Sequence, residues 1–138
     1  MIIQRQRDTL LLAARTLLAA LFIIMGWEKV TGFDVAVAFL KSLHIPMPAF
    51  ATIIAIIAEI GGGLALLLGI LTAPVALLLA IYTIICGLIG HHYWTMPAGF
   101  PEYDAHIHFY KNISIAGGLV ALAVAGAGRY ALTGRSKT

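Results

Sequence analysis

The sequence predicts an all-α protein: a four-helix transmembrane bundle with both termini on the cytoplasmic side. Of its 138 residues, 61% are hydrophobic and only 11% are charged, whereas soluble domains average about 45–50% apolar and about 25% charged residues. Four continuous apolar stretches follow one another along the chain, each about 20 residues long and so able to span a bilayer. A soluble domain of this size has too little interior to bury so much apolar surface, and lipid is the better solvent.

The four stretches run over residues 10–30, 49–71, 73–94 and 107–127, within one integral membrane domain covering residues 1–138. Helices are favoured over strands because the apolar runs are continuous rather than alternating. The first stretch follows a basic start that resembles a signal peptide. However, Arg15 interrupts it and no small-residue cleavage site ends it, so we expect a retained helix. Pro74 opens the third stretch, where its missing N–H costs nothing.

The connections between the stretches differ in character. Residues 34–43 carry apolar Val35 and Phe39 on one side and Lys41 on the other, a spacing that predicts a short interfacial helix. A tight, uncharged turn joins the second and third stretches. Residues 91–106 are rich in turn residues and aromatics, and we expect a longer loop there.

Orientation follows from the distribution of Lys and Arg. The parts of the chain on the side of the termini carry Arg5, Arg7, Arg129, Arg135 and Lys137. The two long loops carry Lys29, Lys41 and Lys111, accompanied by Glu28, Asp34, Glu102 and Asp104. We therefore expect both termini in the cytoplasm and a multi-pass protein of a bacterial cytoplasmic (inner) membrane. The cations form no patch or stripe, which argues against nucleic acid as a partner.

Glu59 lies near the middle of the second stretch, at a depth where an acidic residue costs about 3 kcal/mol. Such a residue usually faces a partner charge, a cavity or the bundle interior. Arg15 lies roughly 8 Å into the first helix, and we expect it to pair with Glu59 directly or through water. Alternatively, Arg15 reaches the interface and Glu59 is protonated. A neutral carboxylic acid there can donate a hydrogen bond or pass a proton, which suits a quinone carbonyl or a proton relay.

Four histidines lie at the side opposite the termini: His91, His92, His106 and His108. Metal or haem ligation is one interpretation, but adjacent residues and residues two apart do not share a helix face. We therefore predict no metal site and favour a hydrogen-bonding cluster that senses pH or moves protons. The single cysteine, Cys86, excludes an internal disulfide.

Several other residues are candidates for the lining of a site. Asn112 can form a hydrogen bond across helices. Lys111 can reach the interface, pair with Glu28 or approach the anionic part of a ligand. Lys29 is expected only to anchor the end of the first helix. Gly62 belongs to a run of three glycines that permits close approach of another helix or of a ligand ring.

Motifs in all four stretches resemble those of one family. They are Arg15-x-x-x-Ala19 with Gly26 and Lys29; Glu59-x-Gly61-Gly62-x-Leu64; His91-x-Tyr93-Trp94; and Phe109-Tyr110-Lys111-Asn112 with Gly117-Gly118-Leu119. In this order and spacing the chain resembles the DoxX family of small four-helix bacterial membrane proteins, over about residues 15–125. Tyr93 stands where the family pattern has Phe. The family includes DoxD-like subunits of thiosulfate:quinone oxidoreductase.

The resemblance implies a quinone-linked membrane oxidoreductase component with a buried polar site. On this hypothesis Glu59 and His91 handle protons, and the binding residues are Arg15, Gly62, Trp94, Lys111 and Asn112. No intrinsic cofactor is predicted: a quinone would bind from the bilayer, and a soluble or membrane partner protein would supply the redox centre. The sequence is compatible with a homo-oligomer, and it does not decide whether the chain is itself an enzyme. Two redox-inactive alternatives are a carrier of small solutes or lipids and a membrane scaffold subunit.

Overall fold

The computed structural model describes residues 6–133, and these residues contain helices and turns but no strand. The helices are α1 Arg7–Thr31, α2 Phe33–Ser42, α3 Pro48–Leu68, α4 Thr72–Gly90 and α5 Phe100–Ala125. Within α3, residues Ile57–Gly61 form a π-helical turn. A 3₁₀ turn, Tyr93–Thr95, follows α4. The segment after α5, residues 126–133, is here called the strap.

Four of the helices are long and apolar enough to cross a membrane: α1, α3, α4 with the turn that follows it, and α5. This confirms the predicted all-α bundle of four transmembrane helices. Many large apolar side chains point away from the bundle, as expected for a surface in contact with lipid. Leu17, Leu78 and Val124 are among the most exposed.

The four long helices pack in a ring, with α1 against α3, α3 against α4, α4 against α5, and α5 against α1. The core between them is rich in alanine and leucine: Ala19, Phe22, Leu66, Ala76, Leu79, Ala80, Ala116, Leu119 and Leu122. Small residues at these positions let the helix backbones approach closely, which is how helices associate in lipid.

The crossing of α1 and α3 depends on two glycines. A Cβ atom placed on Gly26 would lie 2.6 Å from Ile60 Cγ1 and 3.2 Å from the Ile60 backbone nitrogen. A Cβ on Gly63 would lie 2.8 Å from Ile23 Cγ1 and 3.2 Å from the Ala19 carbonyl oxygen. The two helices therefore touch almost backbone to backbone within the π turn and again just after it.

Both ends of the described chain lie at one end of the bundle, here called the terminal end. The Arg7 guanidinium donates to the Ala125 carbonyl oxygen at 2.6 Å, and the Arg129 N–H donates to Asp8 Oδ1 at 3.0 Å. The opposite, loop end carries α2 and residues 91–99. Three of the cations used to predict orientation, Arg5, Arg135 and Lys137, lie outside the described residues.

Two of the connections between the long helices differ in how well they follow the sequence prediction. The expected interfacial helix is present as α2, which has no buried residue and packs against α1 and α3. The fourth long helix begins at Phe100 rather than near Ile107, so the preceding loop is shorter than expected. Pro101 lies in the first turn of α5, where proline is tolerated because that N–H has no partner within the helix. The sequence interpretation had assigned this proline to the loop.

Candidate functional site

Glu59 is held in a network of three side chains inside the bundle. Its side chain emerges from the π turn and the residue is only 5% exposed. Lys29 Nζ donates to Glu59 Oε2 at 2.9 Å, and the Tyr82 hydroxyl donates to Glu59 Oε1 at 2.6 Å. The carboxylate therefore has an ammonium on one oxygen and a phenol on the other, both within the range of charge-assisted hydrogen bonds.

Each member of this network comes from a different helix: Lys29 from α1, Glu59 from α3 and Tyr82 from α4. Gly26 makes the arrangement possible, because a Cβ atom there would lie 3.1 Å from Glu59 Cβ. The π turn is a rare element that recurs at functional sites. We call Lys29, Glu59 and Tyr82 the Glu59 network.

The predicted Arg15–Glu59 pair is wrong. Glu59 pairs with Lys29, which had been interpreted only as an anchor. The depth argument assumed that α1 and α3 end at the same level. Instead Gly26, near the end of α1, packs against Glu59 and Ile60 in the middle of α3. This stagger brings Lys29 down to the carboxylate.

Arg15 lies at the terminal end, fully buried. Its Nη1 donates to the Ala127 carbonyl oxygen at 3.0 Å, and its Nη2 donates to the Tyr130 carbonyl oxygen at 2.8 Å. Among residues 6–133, no carboxylate lies within ion-pair distance of Arg15. Peptide carbonyls of the strap thus compensate this charge, helped by the negative end of the α5 dipole.

The strap also forms backbone hydrogen bonds with the end of α3. The Leu132 N–H donates to the Leu68 carbonyl oxygen at 3.0 Å, and the Thr133 N–H donates to the Gly69 carbonyl oxygen at 3.2 Å. Carbonyls at the end of a helix lack partners within the helix, so these bonds from the strap provide the missing donors. Arg15 is therefore part of a closure at the terminal end, distant along α1 from the Glu59 network.

The four histidines lie at the loop end, interleaved with aromatic rings, and the contact between His91 and His108 is a ring stack rather than the expected hydrogen bond. His91 stacks on His108 with ring centroids 5.0 Å apart and planes at 19°. Asp104 Oδ1 lies 3.6 Å from His108 Nε2. The exposed Trp94 packs edge-on against Phe109, with centroids 5.4 Å apart. Within the described residues, no group of three or more His, Cys, Asp or Glu side chains could hold a metal ion.

The remaining predicted site residues occupy separate places. Asn112 Nδ2 donates to the Thr83 carbonyl oxygen at 3.3 Å and so joins α5 to α4. Gly62 faces the Leu79 side chain across the α3–α4 contact, which makes it a packing position. Lys111 lines an open groove on the outer face of α5. The predicted residues thus divide between the Glu59 network, the terminal end, the loop end and the α4–α5 contact.

Sequence reasoning missed Tyr82 altogether. One signal could have found it: a hydroxyl in the middle of a transmembrane stretch needs a hydrogen-bond partner, and a buried carboxylate on a neighbouring helix is the strongest acceptor available. Nothing in the sequence separates Lys29 from Arg15 as the cation, since both lie on α1. The strap's role was also missed, because a short segment after the last apolar run has no pattern of its own.

Comparison of the sequence with known proteins identifies its family. The family model described as DoxX matches residues 10–92. The chain is 43% identical to the inner membrane protein YphA of Escherichia coli K12 over 129 residues, covering 94% of this chain and 91% of the relative. It is 34% identical to the inner membrane protein YqjF of the same organism, covering 94% and 93%. No solved structure matches the chain. The chain therefore belongs to the DoxX family and is a multi-pass protein of the inner membrane.

Proposed function

We propose that the protein is a quinone-linked redox component of the membrane. In this proposal a partner protein supplies the redox centre, a quinone from the bilayer accepts electrons from that partner, and this chain supplies the protons. Reduction of a quinone takes up protons and electrons in equal number. The hydrocarbon core holds no water to deliver those protons, so titratable side chains must do so.

The observation that carries the proposal is the Glu59 network. An ammonium and a phenol each lie within hydrogen-bond distance of one carboxylate, which emerges from the π turn. The Lys29 side chain is 30% exposed, so the network reaches the surface of the bundle. A quinone oxygen at that surface can take a proton from Lys29, and Glu59 and Tyr82 hold the charge that remains.

The histidines at the loop end suit the supply of protons to this network. In the proposal His91, stacked on His108, exchanges protons with the aqueous side, because one imidazole nitrogen can accept a proton while the other donates one. Trp94 keeps a binding role, since it is exposed at the surface, whereas Lys111 lies apart from this path, in the groove on the outer face of α5. Arg15, Gly62 and Asn112 act by positioning helices, in line with their contacts inside the bundle.

One feature favours a second candidate, a redox-inactive scaffold. Both Glu59 oxygens have partners, and those partners come from two other helices. A fully satisfied network of this kind can serve only to fix the rotation of α1, α3 and α4. Under this alternative the network contributes to stability, and no quinone binds.

The experiment that separates the two candidates is mass spectrometry of quinones retained after purification in mild detergent, comparing wild type with Glu59→Gln. The matched control is Glu28→Gln, which removes an exposed carboxylate from the same end of α1. We expect wild type and the control to retain quinone and Glu59→Gln to lose it by about tenfold or more, because the variant no longer holds the Lys29 ammonium in place for its charged hydrogen bond to the quinone.

The outcomes are distinct. Absence of quinone from wild type, or equal amounts in wild type and Glu59→Gln, would reject the redox proposal and favour the scaffold. If Glu59→Gln does not fold, Tyr82→Phe removes only one hydroxyl from the same network and replaces it in the comparison.

A further inference from the structure

A groove runs along the outer face of α5 toward the loop end. It encloses about 430 Å³ and is lined by Tyr103, His106, Ile107, Tyr110, Lys111 and Ser114. All six residues are exposed, and their spacing of three and four places them on one side of the helix. The groove therefore opens away from the other helices, toward lipid, within a segment able to cross the membrane.

The groove is more polar than a lipid-facing surface should be. Lys111 has no hydrogen-bond or ion-pair partner among residues 6–133, although a lysine inside the bilayer normally pairs or reaches the interface. Tyr103 lies eight residues before it on the same face, roughly 12 Å nearer the loop end. Tyr110 and His106, with ring centroids 5.2 Å apart, lie between them. The groove thus offers one positive charge and several hydrogen-bond donors toward the loop end of a membrane-spanning helix.

Below these polar residues the face of α5 becomes smooth. Ser114 ends the groove, and a Cβ atom placed on Gly117 would meet nothing within 4 Å. An extended acyl chain can lie along such a track, because small residues leave room beside the helix.

We propose that this groove binds an anionic phospholipid from the leaflet at the loop end. Lys111 binds the headgroup phosphate, the donors of Tyr110, His106 and Tyr103 face the rest of the headgroup toward the loop end, and an acyl chain lies past Ser114 and Gly117. Charge complementarity selects this occupant. A quinone ring is neutral and leaves Lys111 uncompensated, and a zwitterionic headgroup brings its own cation, whereas basic pockets between membrane helices bind anionic headgroups. The proposal does not depend on the redox function.

Native mass spectrometry of the full chain in mild detergent tests the proposal, with phosphatidylglycerol and phosphatidylethanolamine added in equal amounts. We expect phosphatidylglycerol adducts to exceed phosphatidylethanolamine adducts about fivefold in wild type, the preference supplied by one lysine near an anionic headgroup. Lys111→Gln should abolish the preference and Lys111→Arg should keep it. Lys41→Gln, which removes an exposed lysine of α2 outside the groove, should also keep it.

Equal adducts of the two lipids in wild type would overturn the proposal, and this comparison requires no variant to fold. A preference for phosphatidylglycerol that persists in Lys111→Gln would also overturn it. The same holds if Lys41→Gln reduces the preference as much as Lys111→Gln does. A third arm adds ubiquinone. If ubiquinone displaces phosphatidylglycerol from wild type, the groove is a quinone site and this proposal fails while the redox function stands. If Glu59→Gln loses quinone but keeps its preference for phosphatidylglycerol, the quinone and the phospholipid bind at separate places.

Discussion

At the scale of single residues, the Lys29–Glu59 pair is the most consequential contact in the bundle. Each charge alone would be costly in a low-dielectric interior, and together they compensate each other at 2.9 Å. Tyr82 satisfies the second carboxylate oxygen. Removing one charge therefore has a different effect from removing both, because a lone buried charge keeps its full desolvation cost.

This asymmetry gives the first prediction. Lys29→Met should lower the free energy of unfolding by about 3 kcal/mol, because it leaves Glu59 buried without a cation. The double variant Lys29→Met with Glu59→Met should recover to within about 1 kcal/mol of wild type, since no buried charge remains. Unfolding by titration with sodium dodecyl sulfate in mixed micelles measures both values.

Lys41→Met, on the exposed face of α2, is the control and should leave stability unchanged. Additive losses in the double variant would show that the two side chains do not interact. The contact between them would then have no energetic role.

Glu59 and its partner also show how much of the site could be predicted from the sequence. Glu59 could be singled out by its depth alone, since a carboxylate in the middle of a transmembrane stretch requires a partner. Its partner could not be identified, because Arg15 and Lys29 occupy the same helix and the choice depends on the stagger of α1 against α3. That stagger follows from the packing of Gly26 against Ile60, a contact between helices that no local pattern encodes.

At the scale of elements, the π turn and the glycines around it determine how α3 meets its neighbours. Gly61, Gly62 and Gly63 are consecutive, yet their surroundings differ. A Cβ on Gly61 would meet nothing within 4 Å, one on Gly62 would lie 2.9 Å from Leu79 Cδ2, and one on Gly63 would press on the backbone of α1. One short run thus contains a lipid-facing glycine, a glycine facing α4 and a glycine facing α1.

Alanine substitutions along this run form the second prediction. Gly63→Ala should destabilise the bundle by about 1–3 kcal/mol, the usual cost of overpacking, because its contacts include the Ala19 carbonyl and the Ile23 nitrogen. Gly61→Ala should be neutral or stabilising by up to about 1 kcal/mol, since alanine favours helix and fills open space. Detergent-titrated unfolding of the two neighbours provides the comparison, each serving as the control for the other. Equal effects would mean that α1 and α3 are not in close contact here.

The elements themselves were largely predictable, and their irregularities were not. Length and hydropathy predict four membrane helices, and the structure confirms them. The π turn leaves no trace in the sequence because α3 is apolar nearly all round, so there is no periodicity for an extra residue to disturb. The early start of α5 was missed because Glu102, Tyr103 and Asp104 are polar. They extend a transmembrane helix beyond its apolar part.

At the scale of the whole molecule, the two ends of the bundle differ in charge. Arg7 and Arg129 lie at the terminal end, while Arg5, Arg135 and Lys137 fall outside the described residues. At the loop end, Lys29 is neutralised by Glu59, which leaves Lys41 and Lys111 as free cations among the described residues there. Counted over the full sequence, five lysines and arginines flank the membrane helices on the side of the termini, and three lie in the two long loops. Positive loops stay in the cytoplasm, so the terminal end should face the cytoplasm.

That orientation is the last prediction, and reporter fusions test it. Alkaline phosphatase is active only outside the cytoplasm and green fluorescent protein fluoresces only inside, so each should be fused at Gly99 and at Thr138. We expect phosphatase activity at Gly99 alone and fluorescence at Thr138 alone. Fluorescence of the Gly99 fusion would show the opposite orientation, with the Lys111 groove in the cytoplasmic leaflet. Its phospholipid chemistry would be unchanged by such a reversal, but the histidines of the loop end would then face the cytoplasm.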